Sequence, residues 1–215
     1  MALEVKICGL NEPESLAAAV AGGAAMVGFV FFPRSPRNVT PGEAASLARR
    51  VPDGVTKVGL LVDPDDDQVA EVLRLVPLDL LQLHGSETPA RVAALGQRFD
   101  KPIMKVIKVA TRADIDAATA YEPVAQRLLF DAKPPSGMKN ALPGGNAVAF
   151  DWRLLSGRSW SRPWMLAGAL EAANLAEAVE SSGARAVDVS SGVESAPGRK
   201  DPGLIADFLE RARSL

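Results

Sequence analysis

Short apolar runs alternate with helix-like segments along the whole chain, and this alternation is the feature that most limits its fold. The runs are rich in Val, Ile and Leu and only weakly amphipathic, which is typical of strands buried on both faces of a parallel sheet. The predicted strands are 3–8, 26–31, 58–62, 80–83, 103–109, 127–130, 164–167 and 186–189. Serial alternation of strands and helices predicts a parallel α/β fold.

About eight such βα units fill the 215 residues. We therefore expect a (βα)8 TIM barrel that forms one domain over residues 1–215. A doubly wound open sheet is the main alternative. The closed barrel is favoured because no segment is left over for a second domain.

Helix signals stand between the predicted strands. Asn11 is a predicted N-cap for a first helix at about 12–22, and Ser86 is predicted to begin a capped helix after the fourth strand. A loop rich in Gly and Pro, 134–147, leads to a short predicted helix near 150–156.

Composition excludes several classes of function. Lys and Arg total 24 and Asp and Glu total 26, so the net charge of −2 argues against a general nucleic-acid binder. The chain has no signal-peptide pattern and no apolar stretch of roughly 18 residues, so we expect no membrane partner. A single cysteine fits a reducing cytoplasm. We expect a cytoplasmic monomer or weak homodimer.

The single histidine and single cysteine also exclude multi-histidine and Cys/His metal sites. Neither a phosphate-binding Walker loop nor a dinucleotide-binding glycine fingerprint is present. The sequence therefore predicts no metal and no cofactor.

Two reactive side chains close predicted strands, and strand ends share the face of a barrel that carries the active site. Cys8 ends the first strand, and Asp131 follows an apolar run in the sixth. One group could remove a proton while the other donates one. Lys6 points to the same face as Cys8 and is a candidate cation to stabilise its thiolate. A buried apolar cysteine and a loop-capping carboxylate are the alternatives.

Other strand ends carry candidate substrate contacts. Arg37 lies on a Pro-braced loop and can bind a carboxylate through two hydrogen bonds. His84 is a possible proton donor, but we favour a structural or substrate-contacting role. Small-residue turns follow the last three strands, at 144–145, 167–168 and 190–192. Barrels often bind phosphate there through backbone N–H groups.

Taken together, these motifs resemble the phosphoribosylanthranilate isomerase family of tryptophan biosynthesis. The matching segments occur in order over nearly the whole chain. They are Lys6–Gly9, Gly28–Arg37, Gln82–Gly85 with Glu87, Phe130–Ala132, Gly144–Gly145 followed by Phe150–Trp152, Leu166–Gly168, and Val187–Ser195 with Pro197–Gly198 and Lys200–Asp201 after it. The first and last of them are the most specific.

The resemblance implies an Amadori rearrangement of N-(5-phosphoribosyl)anthranilate to 1-(2-carboxyphenylamino)-1-deoxyribulose 5-phosphate, without a cofactor. By matching position, Asp131 would protonate the furanose ring oxygen, Cys8 would remove the C2′ proton, and Arg37 would hold the anthranilate carboxylate. The further expected substrate contacts are His84, Gly145, Gly168, Asp188, Ser190, Ser191 and Gly192.

Two departures fall in the expected phosphate region. The family usually has Gly-Gly-Thr-Gly at 144–147, where this chain has Asn146 and Ala147. It usually has Ala-Gly-Gly-Leu at 167–170, where this chain has Ala169. An added Cβ limits how closely the backbone can approach a phosphate. We therefore expect an altered affinity for the phosphate, but retained binding.

Three alternative functions remain open at this point. The histidine-pathway isomerase performs the same rearrangement, but its acid–base pair resembles two aspartates. This chain has Cys at position 8, where such a pair would need an aspartate. Indole-glycerol-phosphate synthase, a lyase, would need a group of Lys and Glu residues at matching strand ends, and these are not found here. A barrel that binds a phosphorylated ligand without turnover has no need for an acid–base pair.

Overall fold

The computed structural model describes residues 3–135, 137–138 and 142–215, and its eight parallel strands close into a barrel in sequential order. The strands are β1 (Glu4–Cys8), β2 (Met26–Phe31), β3 (Thr56–Leu61), β4 (Leu80–Leu83), β5 (Ile103–Val109), β6 (Arg127–Ala132), β7 (Trp164–Leu166) and β8 (Ala186–Val189). The ring is closed by pairing of β1 with β8. This confirms the predicted (βα)8 barrel over the open sheet.

Helices pack around the barrel. They are α1 (Pro13–Ala21), α2 (Pro41–Ala48), α3 (Asp66–Leu75), α4 (Pro89–Phe99), α5 (Arg112–Ala117), α6 (Leu175–Ser182) and α7 (Pro202–Arg213). Among the described residues, no helix is both long and apolar enough to cross a membrane. A two-stranded hairpin, β9 (Glu194–Ala196) and β10 (Arg199–Lys200), follows β8.

Two sequence predictions of helix capping are wrong. Glu12, and not Asn11, occupies the N-cap position of α1, because the Asn11 amide donates a 3.0 Å hydrogen bond to the Gly198 carbonyl. Helix α4 is capped by Thr88 instead of Ser86, whose N–H donates to Asp63 Oδ1. The short helix predicted near 150–156 is present as a 3₁₀ helix at Trp152–Leu155. The predicted loop 134–147 lies partly outside the described residues.

Strand alternation decides which side chains enter the barrel. On β1, Val5 and Ile7 belong to the large apolar core between the strands and the helices, while Cys8 packs inside the barrel with Val30 and Leu60. A lower layer of the interior is filled by Met26, Val58, Leu80, Met104, Val106, Leu129, Met165, Ala167 and Ala186. The interior is therefore apolar in its lower layer, and ionisable side chains such as those of Cys8, Asp131 and Asp188 lie toward the carboxyl ends of the strands.

Candidate active site

A cavity opens at the carboxyl ends of the strands. Nine of the ten predicted site residues line it, and they are Cys8, Arg37, His84, Asp131, Gly145, Gly168, Asp188, Ser190 and Ser191. Gly192 lies next to this wall, in the 3₁₀ turn Ser191–Val193. Closure of the barrel thus brings together residues that lie up to 183 positions apart (8 to 191).

A buried ionic cluster surrounds Cys8. Lys6 Nζ donates a 2.8 Å hydrogen bond to Asp188 Oδ1, and the two residues are paired in register across β1 and β8. Opposite them, a Cβ added to Gly28 would lie 3.2 Å from Cys8 Sγ and 3.3 Å from Lys6 Cε. The absence of a side chain on Gly28 therefore makes room for both the thiol and the lysine stem.

The charges of this cluster act on the thiol in opposite senses. Burial raises the pKa of the Cys8 thiol, the ammonium of Lys6 lowers it, and the carboxylate of Asp188 raises it. Burial also raises the pKa of Asp188, which Lys6 opposes. The pKa of Lys6 is raised because its two acidic neighbours outweigh the effect of burial. Lys6 thus does most to favour the thiolate, and the more distant charge of Lys200 acts in the same direction.

A second pair of groups faces the cavity from β4 and β6. His84 Nε2 lies 3.2 Å from Asp131 Oδ2, within ion-pair distance, but the two atoms are not aligned for a directed hydrogen bond. The Gln82 amide lies 3.4 Å from His84 Nδ1. With the amide nitrogen of Gln82 as the donor, Nδ1 accepts, and a neutral ring carries its hydrogen on Nε2, toward Asp131.

The other oxygen of Asp131 is fixed by the chain itself. Oδ1 accepts a 2.8 Å hydrogen bond from the Ala132 N–H. The backbone at Gly144 covers this pair closely, since a Cβ there would contact the His84 ring and lie 2.8 Å from Asp131 Oδ2. Asp131 is consequently held at the mouth of the barrel with one oxygen directed at the cavity.

Arg37 is buried and strongly oriented. Its Nε donates to Glu194 Oε1 at 2.7 Å and its Nη2 to Glu194 Oε2 at 2.8 Å, so the pair is bidentate. Nη2 also donates to the Gly145 carbonyl at 3.3 Å. Within the described part of the chain, Nη1 makes no hydrogen bond, and it is the nitrogen left to meet a ligand.

Small-residue turns surround the rest of the cavity. Gly145 and Gly168 have φ values of 72° and 95°, which favour glycine. Ala147 and Ala169 also adopt the left-handed region, with φ values of 53° and 51°. Ser190 Oγ donates a 3.1 Å hydrogen bond to the Cys8 carbonyl and links the last turn to β1.

The described residues contain no group of three or more His, Cys, Asp or Glu side chains placed to hold a metal ion. The acid–base groups of the cavity are instead one thiol, two carboxyls and one imidazole, from Cys8, Asp131, Asp188 and His84. This set suits proton transfer within an organic substrate.

The sequence model of N-(5′-phosphoribosyl)anthranilate isomerase matches residues 5–211 of this chain. The chain belongs to this family. A relative from Rhodospirillum centenum, named N-(5′-phosphoribosyl)anthranilate isomerase, is 61% identical over 215 residues, which is 100% of both chains.

Solved structures of the family superpose on the barrel. The enzyme from Thermotoga maritima is 34% identical with a TM-score of 0.87, covering 99% of this chain and 100% of its own. A phosphoribosylanthranilate isomerase in complex with reduced 1-(o-carboxyphenylamino)-1-deoxyribulose 5-phosphate is 32% identical with a TM-score of 0.85, at the same coverage.

Sequence reasoning gave no role to two buried residues of the site. Glu194 and Lys200 both lie in a segment that resembles the isomerase family, but their side chains could not be placed from the sequence. In the fold, Glu194 meets Arg37, and Lys200 Nζ donates to the Ser190 carbonyl at 2.9 Å. The available signal was a pair of opposite charges close behind the last strand.

Proposed function

We propose that this chain, as a member of its family, converts N-(5-phosphoribosyl)anthranilate to 1-(2-carboxyphenylamino)-1-deoxyribulose 5-phosphate, with Asp131 as general acid and Cys8 as general base. The observation that carries this assignment is the placement of a thiol and a carboxyl, from β1 and β6, on one cavity wall. An acid and a base that come from different strands of one cavity can act on different atoms of one sugar.

In the first step, protonated Asp131 gives its proton to the furanose ring oxygen. The C1′–O bond breaks, and the lone pair of the anthranilate nitrogen forms the C1′=N bond of a protonated Schiff base. Asp131 is then a carboxylate. His84, whose Nε2 lies 3.2 Å from Asp131 Oδ2, borders that carboxylate.

In the second step, the Cys8 thiolate removes the C2′ proton. The electron pair forms C1′=C2′ and neutralises the iminium nitrogen, which gives an enolamine. Loss of the O2′ proton and gain of a proton at C1′ then yield the ketone. The substrate's own nitrogen acts as the electron sink, so the chemistry calls for no cofactor. Lys6 supports this step because it favours the thiolate.

The substrate would lie between two anion-binding arms. Nη1 of Arg37 would meet the anthranilate carboxylate. The backbone amides at Gly145, Gly168, Ser191 and Gly192 would meet the phosphate. His84, Asp188 and Ser190 line the intervening space or border it, and would contact the sugar.

A fluorescence time course with freshly generated phosphoribosylanthranilate tests the assignment. We expect rapid loss of anthranilate fluorescence with the wild type and very slow loss with Asp131→Asn, whose amide cannot donate the required proton in the same way. Absence of turnover by folded wild type would favour ligand binding alone or the related histidine-pathway substrate. A direct assay with the histidine-pathway substrate distinguishes these two explanations.

We further propose that residues 1–215 act as one catalytic domain, in the cytoplasm, as a monomer or weak homodimer. The proposed partner is the phosphorylated sugar–anthranilate substrate, and neither nucleic acid nor a membrane is needed. The family match to residues 5–211 supports the domain assignment. Sedimentation velocity over a range of concentrations would decide the oligomeric state.

A further inference from the structure

A buried ion cluster connects the two anion-binding arms of the cavity. Its members are Arg37 after β2, Glu194 and Lys200 on the β9–β10 hairpin, and Ser190 after β8. The Glu194 and Lys200 side chains are 4% and 0% exposed. They lie behind the cavity wall, since Arg37 and Ser190 line the cavity and they do not.

Both oxygens of Glu194 are fully engaged. Oε1 accepts from Arg37 Nε and from Lys200 Nζ, each at 2.7 Å. Oε2 accepts from Arg37 Nη2 at 2.8 Å and from the Gly198 N–H at 3.2 Å. Glu194 therefore has no lone pair directed at a substrate and can act on it only through Arg37.

Lys200 is engaged in the same way. Besides Glu194, its ammonium donates to the Ser190 carbonyl at 2.9 Å and to Ser190 Oγ at 3.2 Å. Ser190 Oγ donates in turn to the Cys8 carbonyl. The hairpin thus fixes the start of the 190–192 turn relative to β1.

The charges of the cluster suit an anionic substrate. Two cations and one carboxylate give the cluster a net charge of +1. The free Nη1 edge of Arg37 is the part of the cluster that presents this charge to the cavity. Burial raises the pKa of Glu194, but hydrogen bonds from Arg37 and the charge of Lys200 outweigh it, so the carboxyl stays ionised. Because a bidentate carboxylate holds the guanidinium plane, Arg37 cannot rotate away from the cavity without breaking two charged hydrogen bonds.

We propose that Glu194 is a positioning residue that orients Arg37 toward the anthranilate carboxylate, with Lys200 anchoring it to the Ser190 turn. This inference rests on the proposed function, which assigns the carboxylate to Arg37. It predicts that loss of Glu194 selectively harms recognition of the carboxylate. A residue with a merely structural role would affect all parts of the ligand equally.

Calorimetric binding of two probes tests the proposal. One probe is reduced 1-(o-carboxyphenylamino)-1-deoxyribulose 5-phosphate, and the other is its counterpart without the ring carboxylate. We expect Glu194→Gln to weaken the affinity for the first probe by about 10- to 100-fold, as for loss of a charged hydrogen bond. The affinity for the second probe should fall by less than about threefold. Glu180→Gln, an exposed carboxylate on α6, is the matched control and should change neither.

The outcomes separate this inference from the proposed function. If the wild type binds neither probe, both the proposed function and the positioning role of Glu194 are wrong. A second outcome overturns the positioning role alone. In it, the wild type binds and turns over normally, and Glu194→Gln either weakens the binding of both probes equally or weakens neither. Tighter binding of the carboxylate probe also overturns it, because it means that Glu194 only attenuates the charge of Arg37.

Two further variants protect the test against misfolding. Glu194→Asp keeps the charge but cannot reach both Arg37 nitrogens, so it should show the same selective loss if Glu194→Gln does not fold. In an Arg37→Ala background, Glu194→Gln should change affinity by less than about twofold, because it acts through the guanidinium. A full additional loss in that background would contradict the proposal.

Discussion

Lys6 and Asp188 pair in register across the seam between β1 and β8, and the lysine ammonium donates a 2.8 Å hydrogen bond to the aspartate inside the barrel. Cys8 lies two residues further along the same inward face of β1. The thiol is therefore influenced by a cation and an anion that also neutralise each other. The reactivity of Cys8 depends on the balance between them.

The pH dependence of Cys8 follows from this balance. Burial raises the pKa of the thiol, and only the thiolate is a base, so kcat/KM should still increase with pH beyond the range in which a free cysteine ionises. Lys6→Met should move the rising limb to higher pH, and Asp188→Asn should move it to lower pH. The pH profile of Cys8 alkylation by iodoacetamide measures this without turnover. Identical profiles for the two variants would contradict the electrostatic role.

Replacement of the base should affect the chemical step. We expect Cys8→Ser to lower kcat by about 10²- to 10⁴-fold, because a hydroxyl is a far poorer base, with little change in KM. Steady-state kinetics measures both parameters. A kcat near that of the wild type would show that Cys8 is not the base.

Replacement of the cation should affect binding. We expect Arg37→Ala to raise KM by about 10-fold or more, since a charged hydrogen bond to the carboxylate is lost. Arg34→Ala is the matched control, because Arg34 is exposed on the same loop and should leave KM unchanged. Equal KM values for wild type and Arg37→Ala would refute its assignment.

The left-handed alanines should be sites of strain. Ala147→Gly and Ala169→Gly should each raise the free energy of unfolding by about 0.5–1 kcal/mol, because relief of the Cβ conflict exceeds the added entropy of the unfolded chain. Ala173→Gly, in the turn before α6 at an ordinary negative φ, should lower it. Urea unfolding monitored by circular dichroism checks all three.

A buried ion pair outside the cavity should be costly to break. Lys105 Nζ donates to Glu87 Oε2 at 2.7 Å and to the Gly85 carbonyl at 2.9 Å, next to His84. Glu87→Gln leaves the lysine charge unpaired and should lower the free energy of unfolding by about 3 kcal/mol. Asp66→Asn, which breaks surface pairs with Arg91 and Arg98, should cost under about 1 kcal/mol. Equal effects in urea unfolding would contradict this ranking.

Strand positions were predicted well because they depend on local hydrophobic patterns. The bounds of β2, β4, β5 and β8 agree with the sequence prediction. The errors at Asn11 and Ser86 have one cause. Each has a hydrogen-bonding partner distant in sequence, at Gly198 and Asp63, that competes with the local cap.

The sequence alone determined the barrel, the residues at its strand ends and, through a family resemblance, the chemistry to expect of Cys8 and Asp131. Only the tertiary structure decided how those side chains are held. The Arg37–Glu194 pair joins residues 157 positions apart, and the Lys6–Asp188 pair joins residues 182 apart. No local pattern encodes such contacts, because they exist only once β8 has closed against β1 and the hairpin has folded back over the strand ends.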